Sequence, residues 1–138
     1  LFTEEGPVAS LEGHVEPTDG DPRRLRFVTT PQTPDGLPVT FHIGSDGTSI
    51  DHQPRRLRVR ADDVALALHP IDSLSIQNQL PARITRIDPS GPGRKAVFMT
   101  LPDGQRLVSE ITDQAAADMH LKTGQAVTAL VKSAALMR

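Results

Sequence analysis

Lys132 interrupts an apolar run near the end of the chain, ALVKSAALM at 129–137. Its ammonium is a compact charge with three donors and no acceptor. Ser133 adds a hydroxyl, and the small Ala134 and Ala135 leave room for a ligand to approach the main chain. Such a set suits an anion. SIQN at 75–78 adds a second hydroxyl from Ser75 and an amide from Asn78. Taken alone, Lys132 reads as solvated surface. Ser75 and Asn78 read as the turn chemistry of a loop bending into a strand.

Other chemistries lack their residues. His14, His42, His52, His69 and His120 show no H-x-x-x-H spacing and read as surface or loop residues. With no cysteine there is no disulfide, thiolate ligand or thiol nucleophile. No G-x-S-x-G elbow occurs, and no G-x-x-x-x-G-K-[ST] loop. The chain is therefore not expected to be an enzyme or to hydrolyse ATP by itself. Asp62 and Asp63 are expected on successive strand positions, facing opposite sides, where they cannot share a proton.

The totals narrow the choices further. A length of 138 residues suits one domain or two very small ones. The net charge is −2, which draws the chain neither to nucleic acid nor to anionic lipid. Four Phe are the only aromatic residues, too few for base-stacking platforms. No apolar run approaches the roughly 18 residues that cross a bilayer. The N-terminus LFTEEG lacks a signal-peptide pattern and an initiator methionine, as expected of an excised fragment. The absence of cysteine fits a reducing cytoplasm.

The elements that position these residues come in two copies. LEGHV at 11–15 resembles LPARI at 80–84, and RRLRFVTT at 23–30 resembles RKAVFMTL at 94–101, pairing Phe27 with Phe98. PDGLPVTFHI at 34–43 lies over PDGQRLVSEI at 102–111, and VRADDV at 59–64 over VKSAAL at 131–136. The order is constant and the spacing nearly so, which points to duplication of a unit about the size of a small barrel. In the second copy LPARITRI alternates as a strand. PSGPG is a loop, RKAVFMTL a strand, PDG a tight turn and QRLVSEI its hairpin partner. Thr112 is placed to N-cap a short helix that ends before Gly124, and QAVTALVKSAALM closes the copy as one strand. The first copy lacks the helix, and 44–54 reads as a loop. The expected fold class is all-β with a short helix, as two tandem OB-fold-like small barrels over 1–68 and 69–138, joined at 69–75. Arg60 occupies the slot of Lys132 in copy one.

SIQNQLPARI at 75–84, DGQRLVSEIT at 103–112 and LKTGQAVTALVKSAALM at 121–137 together resemble the molbindin (Mop) domain. VRADDVALAL at 59–68 resembles the closing strand of TOBE modules. In that order, the whole chain resembles the C-terminal region of the ATP-binding subunit of a molybdate ABC importer. The resemblance implies a regulatory module with no cofactor, whose ligand is molybdate or tungstate. It implies an oxyanion site from Ser75, Ile76, Gln77, Asn78, Lys132 and Ser133, meeting across a contact between modules. The implied partners are a second copy, bound through the second module, the parent nucleotide-binding domain and the permease, with no nucleic acid. The implied location is cytoplasmic, at the inner face of the cell membrane. Where the family often has Ser-Ala-Arg-Asn, this chain has Ile76 and Gln77 at the middle positions, one positive charge fewer. Asp62 and Asp63 would repel a dianion, so the first copy is expected to be a structural or docking barrel. The rival reading is a TOBE docking module of another importer, with no oxyanion site.

Overall fold

The computed structural model describes residues 2–3, 6–44 and 53–137. In chain order come β1 (Phe2–Thr3), β2 (Gly6–Thr18), β3 (Asp21–Thr29), β4 (Thr40–Ile43) and β5 (Arg55–Arg60). A 3-10 turn, Ala61–Asp63, leads into β6 (Val64–Ala67). Then follow β7 (Asn78–Gly91), β8 (Arg94–Thr100), β9 (Arg106–Thr112), α1 (Asp113–Asp118), β10 (Ala126–Val131) and β11 (Ala135–Met137). The fold is all-β with a short helix, built as two tandem OB-like barrels. Thr112 caps α1 as expected, its hydroxyl accepting from Ala115 N–H at 3.0 Å. The expected loop at 44–54 falls mostly on 45–52, outside the described residues.

The two copies exchange their last strands. One sheet runs β11-β5-β2-β3-β4, with β1 also paired to β2, and the other runs β6-β10-β7-β8-β9. Each closing stretch, expected as a single strand, is broken, at 61–63 in copy one and at 132–134 in copy two. Asp62 and Asp63 therefore sit on a 3-10 turn and not on a strand. After its break β6 pairs with β10, Val64 opposite Val131. In the same way β11 pairs with β5, Ala135 opposite Arg58. Both exchanges cross the expected boundary at 68/69. Asp has low strand propensity, and the polar Lys-Ser pair breaks the apolar pattern that holds β10 in its sheet. Each tail covers an edge that would otherwise expose unpaired main chain. The second barrel is closed by a side chain: buried Ser109 donates its hydroxyl to Val64 O at 2.5 Å, joining β9 to β6.

The larger apolar cluster of the described residues runs through both copies, including Leu11, Phe27, Phe41, Leu57, Ile84, Met99 and Val131. Phe27 faces Val15 on β2 and Phe41 on β4. In the second copy the residue opposite Ile84 and Leu107 is Met99. Phe27 thus corresponds to Met99, and the expected match of Phe27 to Phe98 is one residue out of step. A slip of one turns a strand over. Phe98 accordingly lies half-buried under the Arg86 guanidinium, 4.4 Å from its ring centroid, while Met99 is fully buried. PSGPG, expected as a loop, is mostly strand, with β7 reaching Gly91 and β8 starting at Arg94.

A polar joint fastens one copy to the other. The second PDG turn inserts its buried Asp103 beside the first copy, where Asp103 O accepts from Gln32 N–H at 2.7 Å. The Gln105 amide, also buried, accepts from Glu12 N–H at 2.7 Å and donates to Glu12 O at 2.9 Å. It continues the β3 side of β2 at Glu12, just past Gly13, where the ladder to β3 ends. Gly104 makes the turn at φ +87, a conformation that costs side-chain-bearing residues energy.

Candidate oxyanion site

The ladder between β7 and β10 brings the two candidate segments together. Asn78, the first residue of β7, lies opposite Val131, the last of β10. Gln77 and Lys132 therefore flank the same end of one sheet, within one chain. Ser75, Gln77, Lys132 and Ser133 are exposed, and Ile76 and Asn78 half-buried. Lys132 stands in the break between β10 and β11 and not within a strand. Ile76 and Lys132 line one cavity of about 220 Å³. Liquid water takes about 30 Å³ per molecule, so a five-atom oxyanion fits.

The donors divide into spent and unspent. Asn78 Oδ1 accepts from His42 N–H at 2.7 Å, and Asn78 Nδ2 donates to His42 O at 3.1 Å. Its amide braces the second copy against β4 of the first. Lys132 N–H is spent on Asp63 O at 2.8 Å. Among the described residues, the Lys132 ammonium, the Ser75 and Ser133 hydroxyls and the Gln77 amide have no protein partner. The same holds for the main-chain N–H groups of Ser75, Ile76, Gln77 and Ser133. Polar groups left without protein partners are satisfied by solvent or by a ligand. Gln79, which sequence reasoning passed over, fixes the approach to this segment. Its amide accepts from Ile71 N–H at 2.8 Å and donates to Ile71 O at 2.8 Å. The linker it holds exposes Leu68, Ile71 and Leu74 just ahead of Ser75.

Negative charge also borders this cavity, through Asp62, Asp63 and Glu110. Asp62 pairs with Arg60 at 2.8 Å, and Glu110 with Arg94 at 2.9 Å. A larger cavity of about 610 Å³ lies between the copies, beside Glu12, Gln105, Arg106 and Phe98, and holds none of the six candidate residues. Among the described residues no cluster of three His, Asp or Glu could hold a metal ion. None of their helices is long and apolar enough to cross a membrane.

A profile of the TOBE domain family matches residues 74–137, which contain all six candidate residues. Residues 74–137 are a TOBE domain. The chain is 37% identical over 104 residues to the molybdenum import ATP-binding protein ModC of Brucella abortus, covering 75% of this chain and 25% of that protein. It is 42% identical over 83 residues to ModC of Aromatoleum aromaticum, covering 60% of this chain and 22% of that one. The chain thus spans about a quarter of the length of these curated relatives. Among solved structures it resembles the cytoplasmic molybdate-binding protein ModG, crystallised with molybdate bound. The TM-score is 0.67 at 22% identity, over 92% of this chain and 93% of that one, a likeness of fold. The TOBE domain therefore owns β7 to β11 and the Lys132 end of its sheet, while β6 reaches it from the preceding repeat.

Proposed function

We propose that this chain is the regulatory portion of a molybdate importer's ATP-binding subunit, binding molybdate or tungstate where Ser75–Asn78 meet Lys132–Ser133. One observation carries the reading: at the end of the sheet where Asn78 lies opposite Val131, the Lys132 ammonium, two hydroxyls and several main-chain N–H groups stand without protein partners among the described residues. A tetrahedral dianion only accepts hydrogen bonds, and these groups only need to donate. The ModC relatives are molybdenum import proteins by name and ModG binds molybdate, which supports this choice of anion over others.

Leu68, Ile71 and Leu74 stand exposed on the linker that leads into Ser75. A second copy packed through the TOBE domain covers them and completes the site, so that anion binding ties two chains together. In the importer this contact holds the nucleotide-binding domains in a resting arrangement when cytoplasmic molybdate is plentiful, which is a coupling between anion and transport. The role is regulatory and not catalytic, at the cytoplasmic face of the membrane beside the permease.

Calorimetric titration with molybdate, tungstate, sulfate and phosphate, alongside molar-mass measurement, tests this. The expected result is heat with molybdate and tungstate, and a rise in mass on binding. No heat with any of the four leaves a TOBE docking module without an oxyanion site.

A further inference from the structure

Strand exchange places a residue of the first repeat beside the proposed anion site. Asp63 precedes β6, the strand that crosses to the second sheet. Its main-chain carbonyl accepts from Lys132 N–H at 2.8 Å, and both residues line the cavity of about 220 Å³. Asp62 and Glu110, the other carboxylates there, are each compensated by an arginine, at 2.8 and 2.9 Å. Among the described residues the Asp63 carboxylate has no ion pair or hydrogen bond, and neither has the Lys132 ammonium. Opposite charges thus stand uncompensated on one rim without closing on each other.

We infer that Asp63 sets the affinity of the Lys132 site, its carboxylate opposing an incoming dianion, so that the first repeat tunes a site in the second. This rests on the oxyanion reading above. Two groups on one small cavity lie within the Debye length, about 8 Å at physiological ionic strength, so salt screens them incompletely. A dianion feels twice the repulsion that a monoanion feels at the same distance. Asp63 therefore lowers affinity for molybdate, tungstate and sulfate more than for a singly charged anion. Asp63→Asn removes the charge at constant size and keeps the carbonyl that Lys132 N–H bonds.

The test titrates the whole chain, as wild type, Asp63→Asn, Asp63→Ser, Asp19→Asn and Lys132→Ala, with molybdate, sulfate and nitrate at low and high salt. Asp19, in the β2–β3 turn at φ +51, controls for net charge in a conformation that Asn tolerates. Both Asp63 variants are expected to bind molybdate about tenfold tighter than wild type, with a like gain in any sulfate binding, a smaller one for nitrate, and the gain shrinking as salt rises. Asp19→Asn is expected to match wild type. Molybdate binding to the Asp63 variants alone also supports the inference. Unchanged affinity in the Asp63 variants, or an equal gain in Asp19→Asn, overturns it. If wild type binds molybdate and Lys132→Ala does not, while the Asp63 variants match wild type, the site reading stands and this inference falls. No binding by any variant overturns both.

Discussion

The Asn78 amide pairs with the main chain of His42 as a neighbouring strand would, accepting from its N–H at 2.7 Å and donating to its carbonyl at 3.1 Å. A side chain at the proposed anion site therefore holds the second barrel to the edge of the first. Asn78→Ala leaves two main-chain groups without partners, worth about 1–3 kcal/mol together. Its denaturant midpoint is expected to fall, and Asn78→Asp, which retains the acceptor but loses the donor, is expected to lie between. A midpoint equal to wild type for Asn78→Ala contradicts the brace.

Lys132→Ala removes an exposed side chain whose ammonium has no protein partner among the described residues. Stability is expected to change by less than about 0.5 kcal/mol. A charge-assisted hydrogen bond is worth about 1.5–3 kcal/mol, so molybdate affinity is expected to fall about tenfold or more. Calorimetry and thermal unfolding on the same sample separate the two effects.

Gln105 joins the copies through Glu12 N–H and carbonyl, from a side chain that also donates to Asp103 Oδ2 at 3.1 Å. Gln105→Ala leaves Glu12 N–H without its partner and removes the donor to buried Asp103 Oδ2, and is expected to cost about 1–3 kcal/mol. Gln105→Glu keeps an acceptor for Glu12 N–H but places a second carboxylate beside buried Asp103, and is expected to cost at least as much. Urea unfolding that gives either variant wild-type stability rejects the joint.

Met99 and Phe98 give a test of strand register. Fully buried Met99 packs in the common core, while half-buried Phe98 lies beneath Arg86. Met99→Ala is expected to cost about 2–5 kcal/mol. Phe98→Ala, with part of its ring already solvated, is expected to cost less, the reverse of what the pairing of Phe27 with Phe98 implies. The order of the two denaturant midpoints decides.

Glu16 supplies a pH dependence. A hydrogen bond with His14 at 3.0 Å and another from Arg26 at 2.7 Å hold its carboxyl below the usual 4.5, against a smaller opposing effect of burial. A depressed carboxyl favours the folded state above its unfolded pKa, and the contribution fades as pH falls through the folded value. Glu16→Gln is expected to be less stable than wild type near neutrality. The gap is expected to close below the usual 4.5. The pair lies near the surface, the Glu16 side chain 29% and the Arg26 side chain 37% exposed, which keeps the effect small. A gap that persists in acid assigns the loss to packing instead.

The class of fold is legible in local pattern: alternating LPARITRI, the PDG turn and the Thr112 cap each state their own geometry within a few residues. The duplication is legible too, because recurrence of blocks needs no knowledge of contacts. The match of Phe27 with Phe98 fails for a physical reason. Aromatic identity does not report which face of a strand a residue occupies, and only pairing with Ile84 and Leu107 puts Met99 inside.

The sequence by itself determined the barrels, the short helix of the second and the donor-bearing residue types of the proposed site, since these follow from periodicity, capping and donor chemistry along the chain. Tertiary structure alone decided that β6 and β11 change sheets, that Asn78 is spent on His42 and that Asp63 stands beside Lys132. Each of these depends on which edge a chain finds free after the core has formed, and edge pairing is made by main-chain groups that every residue carries alike.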